Sequence, residues 1–405
     1  MLKYHPRRPA LHHRHADGAK LARLSLLVNI GDAAFWTILP IQLSVLAGGD
    51  GPVGFYFAAV ALLGTVAAVA SSATFRRHRK IVIGTASLAL IVVLLVGMSF
   101  AGNLWVLAIL DLPRSVAYLL LTIVLGLLVR DLATAANIAI KEGRRYLFIN
   151  LGWLIGPLMA GYVARFISLE AVFLVISGLF AIALVYLWRL HFDGHPAFTA
   201  DGEVERGHEA IAGLIEYLKR PRLRRVFLLA VGLEVWWVVS SIYIPLAVIN
   251  FGYGPDIVGW VVTGGVVPLI LLEVWVGRLA QARGTRNYMV AGFLVLGVGA
   301  ASFPLLGFSP GLLLFMFAAV NVGAAMIEPL TEAYFFEVAT LEEAARFFGI
   351  YNASAPMAGL LGPLVGAVVL TAGLGLDGVW VAAAALMMVC ARIATRIKDP
   401  AQEVV

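Results

Sequence analysis

Apolar residues run through this chain in long blocks separated by short polar connections. A helix needs about 20 mostly apolar residues to cross a bilayer. Twelve blocks meet that length: 24–47, 53–74, 81–101, 105–129, 146–165, 170–189, 226–249, 257–276, 288–307, 311–336, 347–373 and 377–395. The connections alternate in character. Those after the first, third, seventh, ninth and eleventh blocks are rich in Gly, Pro or Asp, as at 47–52 and 251–256, whereas 76–80, 141–145 and 219–225 are basic. The pattern predicts an all-α integral membrane protein with twelve transmembrane helices.

Composition supports lipid as the solvent. Of 405 residues, 61% are hydrophobic and 13% charged, against about 45–50% and about 25% in soluble domains. The net charge of +6 does not point to nucleic acid, because the cations cluster between the apolar blocks. Of 30 Lys and Arg residues, all but Arg114 and Arg165 fall on one side of the alternation. Positive charge stays cytoplasmic, so both termini are expected in the cytoplasm of a multi-pass protein of the cell (inner or plasma) membrane. The single cysteine, Cys390, excludes an internal disulfide and a multi-cysteine metal site.

The longest polar stretch divides the chain into six helices and six. The expected organisation is a basic cytoplasmic tail (1–20), an N-terminal bundle (21–190), a cytoplasmic linker (191–225), a C-terminal bundle (226–397) and a tail (398–405). Within the linker, Ile211, Leu214, Ile215 and Leu218 recur at helical spacing, which predicts a short amphipathic helix on the membrane surface. His5, His12, His13 and His15 lie among arginines with no cysteine or carboxylate cluster, and read as a basic tail rather than a metal site.

The halves repeat. A shift of 206 lays Gly143, Gly156 and Pro157 on Gly349, Gly362 and Pro363, Arg77 on Arg283, Lys80 on Arg286, and Asp131 on Glu337. A shift of 205 lays Val53, Gly54 and Phe55 on Val258, Gly259 and Trp260. Parallel repeats of this kind build transporters with a site between the halves near the bilayer midplane. The fifth block reads Gly143, Gly152, Gly156-Pro157, Ala160-Gly161, small residues that let helices approach closely. With it, the chain from about 21 to 396 resembles the major facilitator superfamily, nearest to its drug:proton antiporter branch. Only Ala160 departs from that branch's helix-five pattern.

The resemblance implies two pseudo-symmetric six-helix bundles and alternating access. It also implies a Gly-x-x-x-Asp-Arg-x-Gly-Arg-Lys loop after the second helix. Here those columns hold Ser71, Phe75, Arg76, His78, Arg79 and Lys80, so the basic end survives without the aspartate. The second copy keeps Gly277, Gly284 and Arg286 beside Arg283, with Gln281 for the acid. Asp131 and Glu337 are candidate substitute charges for these loops.

Ionisable groups inside a bilayer are costly and point to function. Asp32 lies roughly 13 Å past Arg23 into the first helix, where a charged carboxyl is disfavoured and can exchange protons. Glu234 and Glu328 are the corresponding candidates of the second half. Arg114 is a candidate counter-charge, matching loosely an arginine of the resembled antiporters, with Asp32 or with Asp111 one turn away. Glu273 reads as a structural partner of Arg278. Trp36, Trp236, Trp237 and Tyr243 are candidates to line an aromatic cavity that would suit lipophilic cations, and Asn29 and Asn321 can bind hydroxyl groups.

No phosphate-cradling Gly-x-x-x-x-Gly-Lys loop or His-Glu-x-x-His pair occurs, and although Gly307-Phe308-Ser309-Pro310-Gly311 spells Gly-x-Ser-x-Gly, every histidine lies outside the apolar blocks, so a primary pump and an enzyme are both disfavoured. No cofactor or metal is expected, the energy source being a proton gradient. Proton-coupled efflux of hydrophobic or cationic small molecules leads. The alternatives are a symporter or facilitator for a sugar, amino acid or organic acid, and a non-transporting receptor or lipid-handling member of the fold. The expected partners are the small-molecule substrate and the lipid bilayer, with the monomer as the working unit.

Overall fold

The computed structural model describes residues 11–77, 79–132, 138–190, 213, 215–305 and 309–397; within these, the side chains of 11–19, 68–77, 129–132, 138–144, 146, 341, 344 and 345 are not described. His5, Ile211, Leu214 and the C-terminal tail lie outside the described residues. So do the surroundings of Gly143 and the side chains of Ser71, Phe75, Arg76, His78 and Asp131.

The described chain is helical throughout: α1 (Leu11–Ala47), α2 (Gly51–Arg77), α3 (Lys80–Met98), α4 (Leu104–Leu132), α5 (Ile138–Phe166), α6 (Leu169–Arg189), α7 (Pro221–Asn250), α8 (Pro255–Arg283), α9 (Thr285–Ser302), α10 (Pro310–Val338), α11 (Leu341–Tyr351), α12 (Ser354–Thr371) and α13 (Gly375–Ala394). Among the described residues, eleven stretches are long and apolar enough to cross a membrane, and Gly51–Ala67 in α2 adds a shorter apolar helix. Large apolar side chains such as Trp105, Trp188, Leu271 and Phe315 point outward. A surface of that kind is stable in hydrocarbon and not in water.

Local chemistry sets the helix ends. Pro221, Pro255 and Pro310 each open a helix at a position that needs no N–H. Ser168 and Ser309 accept from Ala171 and Leu312 backbone N–H groups, and Thr340 with Glu343 forms a capping box. Two features add detail to the expected pattern. The first helix begins at Leu11, so the stretch expected as a tail to residue 20 is helical from there on. The eleventh block is two helices, α11 and α12, which part at Asn352 and Ala353. Pro356 explains the break: its ring displaces the carbonyl four residues earlier, that of Asn352.

The helices of each half pack mainly on one another, and the halves meet through α5 on α8, α2 on α12 and α1 on α7. The sequence repeat is visible at these seams. Gly54 of α2 lies against the Pro363 carbonyl of α12, and Gly259 of α8 lies against the Pro157 carbonyl of α5. These are equivalent pairs under the two shifts, since 259 − 54 is 205 and 363 − 157 is 206. Side-chain bonds crossing between halves gather at the end carrying the Gly- and Pro-rich turns, the turn end. Asn250 donates to Asp50 at 2.7 Å, Trp260 donates to the Tyr162 hydroxyl at 3.1 Å, and Arg165 stands 3.9 Å from Asp256. The opposite, basic end carries Arg79, Arg283, Arg286 and Glu337 as exposed residues and Lys80 as a buried one.

Candidate functional site

Two clusters of ionisable side chains occupy the interior, a buried one in the first half and a partly open one in the second. In the N-terminal half, Asp32 on α1 meets Asp111, Arg114 and Tyr118 on α4. Arg114 Nε bonds Asp111 Oδ1 at 2.5 Å, and the Tyr56 hydroxyl donates to Asp111 Oδ2 at 2.5 Å. The guanidinium lies 3.6 Å from the centre of the Phe35 ring, a contact between cation and aromatic face. Tyr118 hydrogen-bonds Asp32, and Arg114 acts on Asp32 through space. One cation therefore serves two carboxylates, and all three side chains are buried. The spacing of three residues on α4 brought Asp111 and Arg114 together. Tyr56, Tyr118 and Phe35 were not apparent from the sequence.

The C-terminal half is different. Glu234 on α7, Glu273 on α8 and Glu328 on α10 interact electrostatically, and the Trp237 indole hydrogen-bonds Glu328. Among the described residues no cation pairs with any of the three. Glu273 makes no ion pair with Arg278, contrary to the expectation; it acts through space on Glu328. Like charges so placed repel, and a proton or a cationic guest relieves the repulsion.

Between the halves lies a cavity of ≈ 320 Å³, within the range of small-molecule sites. Its walls include Trp36, Ile149, Asn150 and Trp153 from the first half, and Trp237, Ser240, Ser241, Phe317, Asn321 and Glu328 from the second. Glu328 is exposed to it. Trp36 stacks on Phe57 with ring centres 5.2 Å apart, which fixes its plane. Several expected wall residues lie elsewhere. Trp236 is buried and donates to Asn321 Oδ1 at 2.9 Å, while Asn321 donates to the Gly265 carbonyl at 3.0 Å. Tyr243 donates to the Pro363 carbonyl at 3.2 Å beside Gly54. Asn29 turns back to the Ser25 carbonyl at 2.7 Å. Each of these three serves packing, because its polar group already has a backbone or side-chain partner.

The small residues of α5 face two ways. Gly152 and Gly156 lie against the α1 backbone near Asn29 and Ile30, and Gly161 lies against Pro255 and Gly259 of the other half. Gly362 repeats the first contact on α7, against Val235, Val238 and Val239, while Gly349 is exposed on α11. The model of the Major Facilitator Superfamily matches residues 21–249 and 235–404. The chain belongs to that superfamily.

As a superfamily member it is a multi-pass membrane protein of a transporter family, not an enzyme. It is similar to the uncharacterized MFS-type transporter YfiS of Bacillus subtilis (strain 168), 26% identical over 271 residues, which are 64% of this chain and 62% of that one. The match thus spans about three-fifths of the relative's length. Among solved structures, a POT family transporter in complex with 5-aminolevulinic acid has a TM-score of 0.75 at 12% identity, covering 93% of this chain and 95% of the other. A bacterial homolog of the human lysosomal transporter Spinster, inward-facing and unoccupied, has a TM-score of 0.72 at 11% identity, with 96% and 97% covered. Those likenesses establish the shared fold.

Proposed function

We propose that this superfamily member is an alternating-access transporter that exports lipophilic cations in exchange for protons. The observation that carries the reading is Glu328, a carboxylate without a described cationic partner on the wall of an aromatic cavity between the halves. The faces of Trp36, Trp153, Trp237 and Phe317 offer a cation a polarisable surface, and Glu328 offers the opposite charge. Protonation of that carboxylate and occupation by a cation are mutually exclusive ways of satisfying it, which is what an exchanger requires. Glu234 and Glu273 lie close enough to bias the choice. Asp32 is the second candidate carrier, inside the first half and already bonded to Tyr118. The outward direction rests on the resemblance of the fifth helix to antiporters. The basic end is taken as cytoplasmic, in the inner or plasma membrane, and one chain supplies the whole cavity.

The second reading, uptake of a polar nutrient, draws on Asn150 and Ser241, whose polar groups also line the cavity. Liposomes holding the purified protein and a pH-sensitive dye separate the two. Protons moving against a lipophilic phosphonium ion in the wild type, and not in Glu328→Gln, support export by exchange. Protons accompanying a sugar or amino acid would replace it with symport.

A further inference from the structure

At the basic end, outside the central cavity, a second hollow of ≈ 240 Å³ lies where α10 finishes and α7 starts. Lys219, Arg220, Pro221, Arg222, Leu223, Val338 and Glu343 line it. Three cations thus face one carboxylate. That carboxylate is already committed: Glu343 bonds Arg220 and accepts from the Thr340 backbone N–H. Arg220 is committed too, bonding Glu216 at 2.9 Å and lying 5.0 Å from the centre of the Phe347 ring. Glu216 in turn holds Arg346, and Tyr217 is buried against Phe227 and Phe347. This clamp makes a fixed wall and leaves Lys219 and Arg222, both exposed, as the cations without a described partner.

We propose that this hollow binds the phosphate of an anionic phospholipid headgroup. A phosphate oxygen set needs several cationic donors at once, and basic pockets at the cytoplasmic ends of transmembrane helices suit such headgroups. The surroundings favour a lipid over a free anion. Ile215, one turn before Lys219 in the short helical stretch 215–219, is an exposed apolar residue on the same face, and Phe336 and Leu228 are exposed apolar residues within about 10 Å along α10 and α7. A headgroup seated on Lys219 and Arg222 therefore has apolar surface beside it for its chains. The site is independent of what the central cavity carries.

The test uses the full chain in zwitterionic detergent, titrated with phosphatidylglycerol, with phosphatidylcholine of equal chain length, or with inorganic phosphate, and follows the thermal midpoint. Phosphatidylglycerol should raise the midpoint saturably in the wild type. Half-saturation should be roughly tenfold weaker in the Lys219→Gln/Arg222→Gln double variant, and unchanged in Arg392→Gln, which removes an exposed cation elsewhere. Equal response of wild type and double variant overturns the site. So does an equal response to phosphatidylcholine, and inorganic phosphate reproducing the shift would make it a free-anion site instead. If the double variant starts from a lower midpoint, native mass spectrometry decides: it should retain fewer phosphatidylglycerol adducts than the wild type, and equal retention overturns the proposal.

Discussion

The N-terminal cluster places Arg114 between Asp111 and the field of Asp32, and adds hydroxyl donors from Tyr56 and Tyr118. The C-terminal cluster gathers Glu234, Glu273 and Glu328 with a single indole donor, Trp237. Both sit inside halves built on one repeat. A buried charge whose partners are all in place is a structural element, and removing one partner leaves the other stranded. A carboxylate whose partner is missing must obtain one from outside, as a proton or as a guest. In the proposed exchange, anchoring falls to the first half and exchange to the second.

The largest effect that can break this assignment is the loss of coupling. Glu328→Gln should bring cation-driven proton flux in liposomes down to background while the thermal midpoint in detergent holds. Asp32→Asn should lower the same flux only severalfold. The reverse order, with Asp32→Asn silent and Glu328→Gln active, would place exchange in the first half.

Stability sharpens the same contrast. Asp111→Asn deprives Arg114 of its closest carboxylate in a buried setting, where breaking a pair costs about 3 kcal/mol or more. Glu234→Gln removes one of three like charges and should shift stability by under about 0.5 kcal/mol, or raise it. Unfolding midpoints of the two variants in one detergent measure the difference. Equal losses would mean that the second cluster is held by partners as firmly as the first.

The fold was largely legible because length and apolar character alone determine a spanning helix. The shifts of 205 and 206 relate the two glycine–proline contacts at the seams to each other, but nothing in the sequence said that those glycines would meet those carbonyls. The site was legible only by residue type. Trp236 and Trp237 are neighbours, yet a rotation of about 100° per residue sends one into packing and the other into the cavity, and no periodicity in so uniformly apolar a helix reports that angle. Tyr118 and Tyr56 join the acids from other turns and other helices, so their roles depend on helix rotation and depth. The gathering of Glu273 with Glu328 was hidden for the same reason, while Arg278, five residues along, offered a plausible partner in sequence.

The seams predict a smaller, matched pair of effects. A methyl group on Gly259 would stand 2.5 Å from the Pro157 carbonyl, and overpacking of this kind costs about 1–3 kcal/mol. Gly54→Ala presses on the equivalent Pro363 carbonyl and should slow transport by a similar factor. Both rates can be read from dye efflux in liposomes. A strong effect at one glycine alone would show that the halves do not hinge symmetrically.

The smallest effects belong to the turn-end bonds, which also occur in repeat-related positions: Asp50 and Asp256 differ by 206. Asp50 accepts from Asn250 at 2.7 Å across the seam and from Ser44 at 2.5 Å within its own half. Asp256 faces Arg165 at 3.9 Å, with more than half of the arginine side chain exposed. A solvent-exposed hydrogen bond such as that of Asn250 contributes about 0.5–1.5 kcal/mol, and an exposed ion pair contributes about 0–1 kcal/mol. Asp50→Ala should therefore favour opening at the turn end more than Asp256→Ala does. A cysteine at Ser241, in a chain lacking Cys390, reports this through labelling by an impermeant maleimide applied from the turn side: severalfold faster with Asp50→Ala, and little changed with Asp256→Ala. Equal acceleration would mean that the long Arg165 contact shortens in the membrane and closes the turn end as effectively as the Asn250 bond.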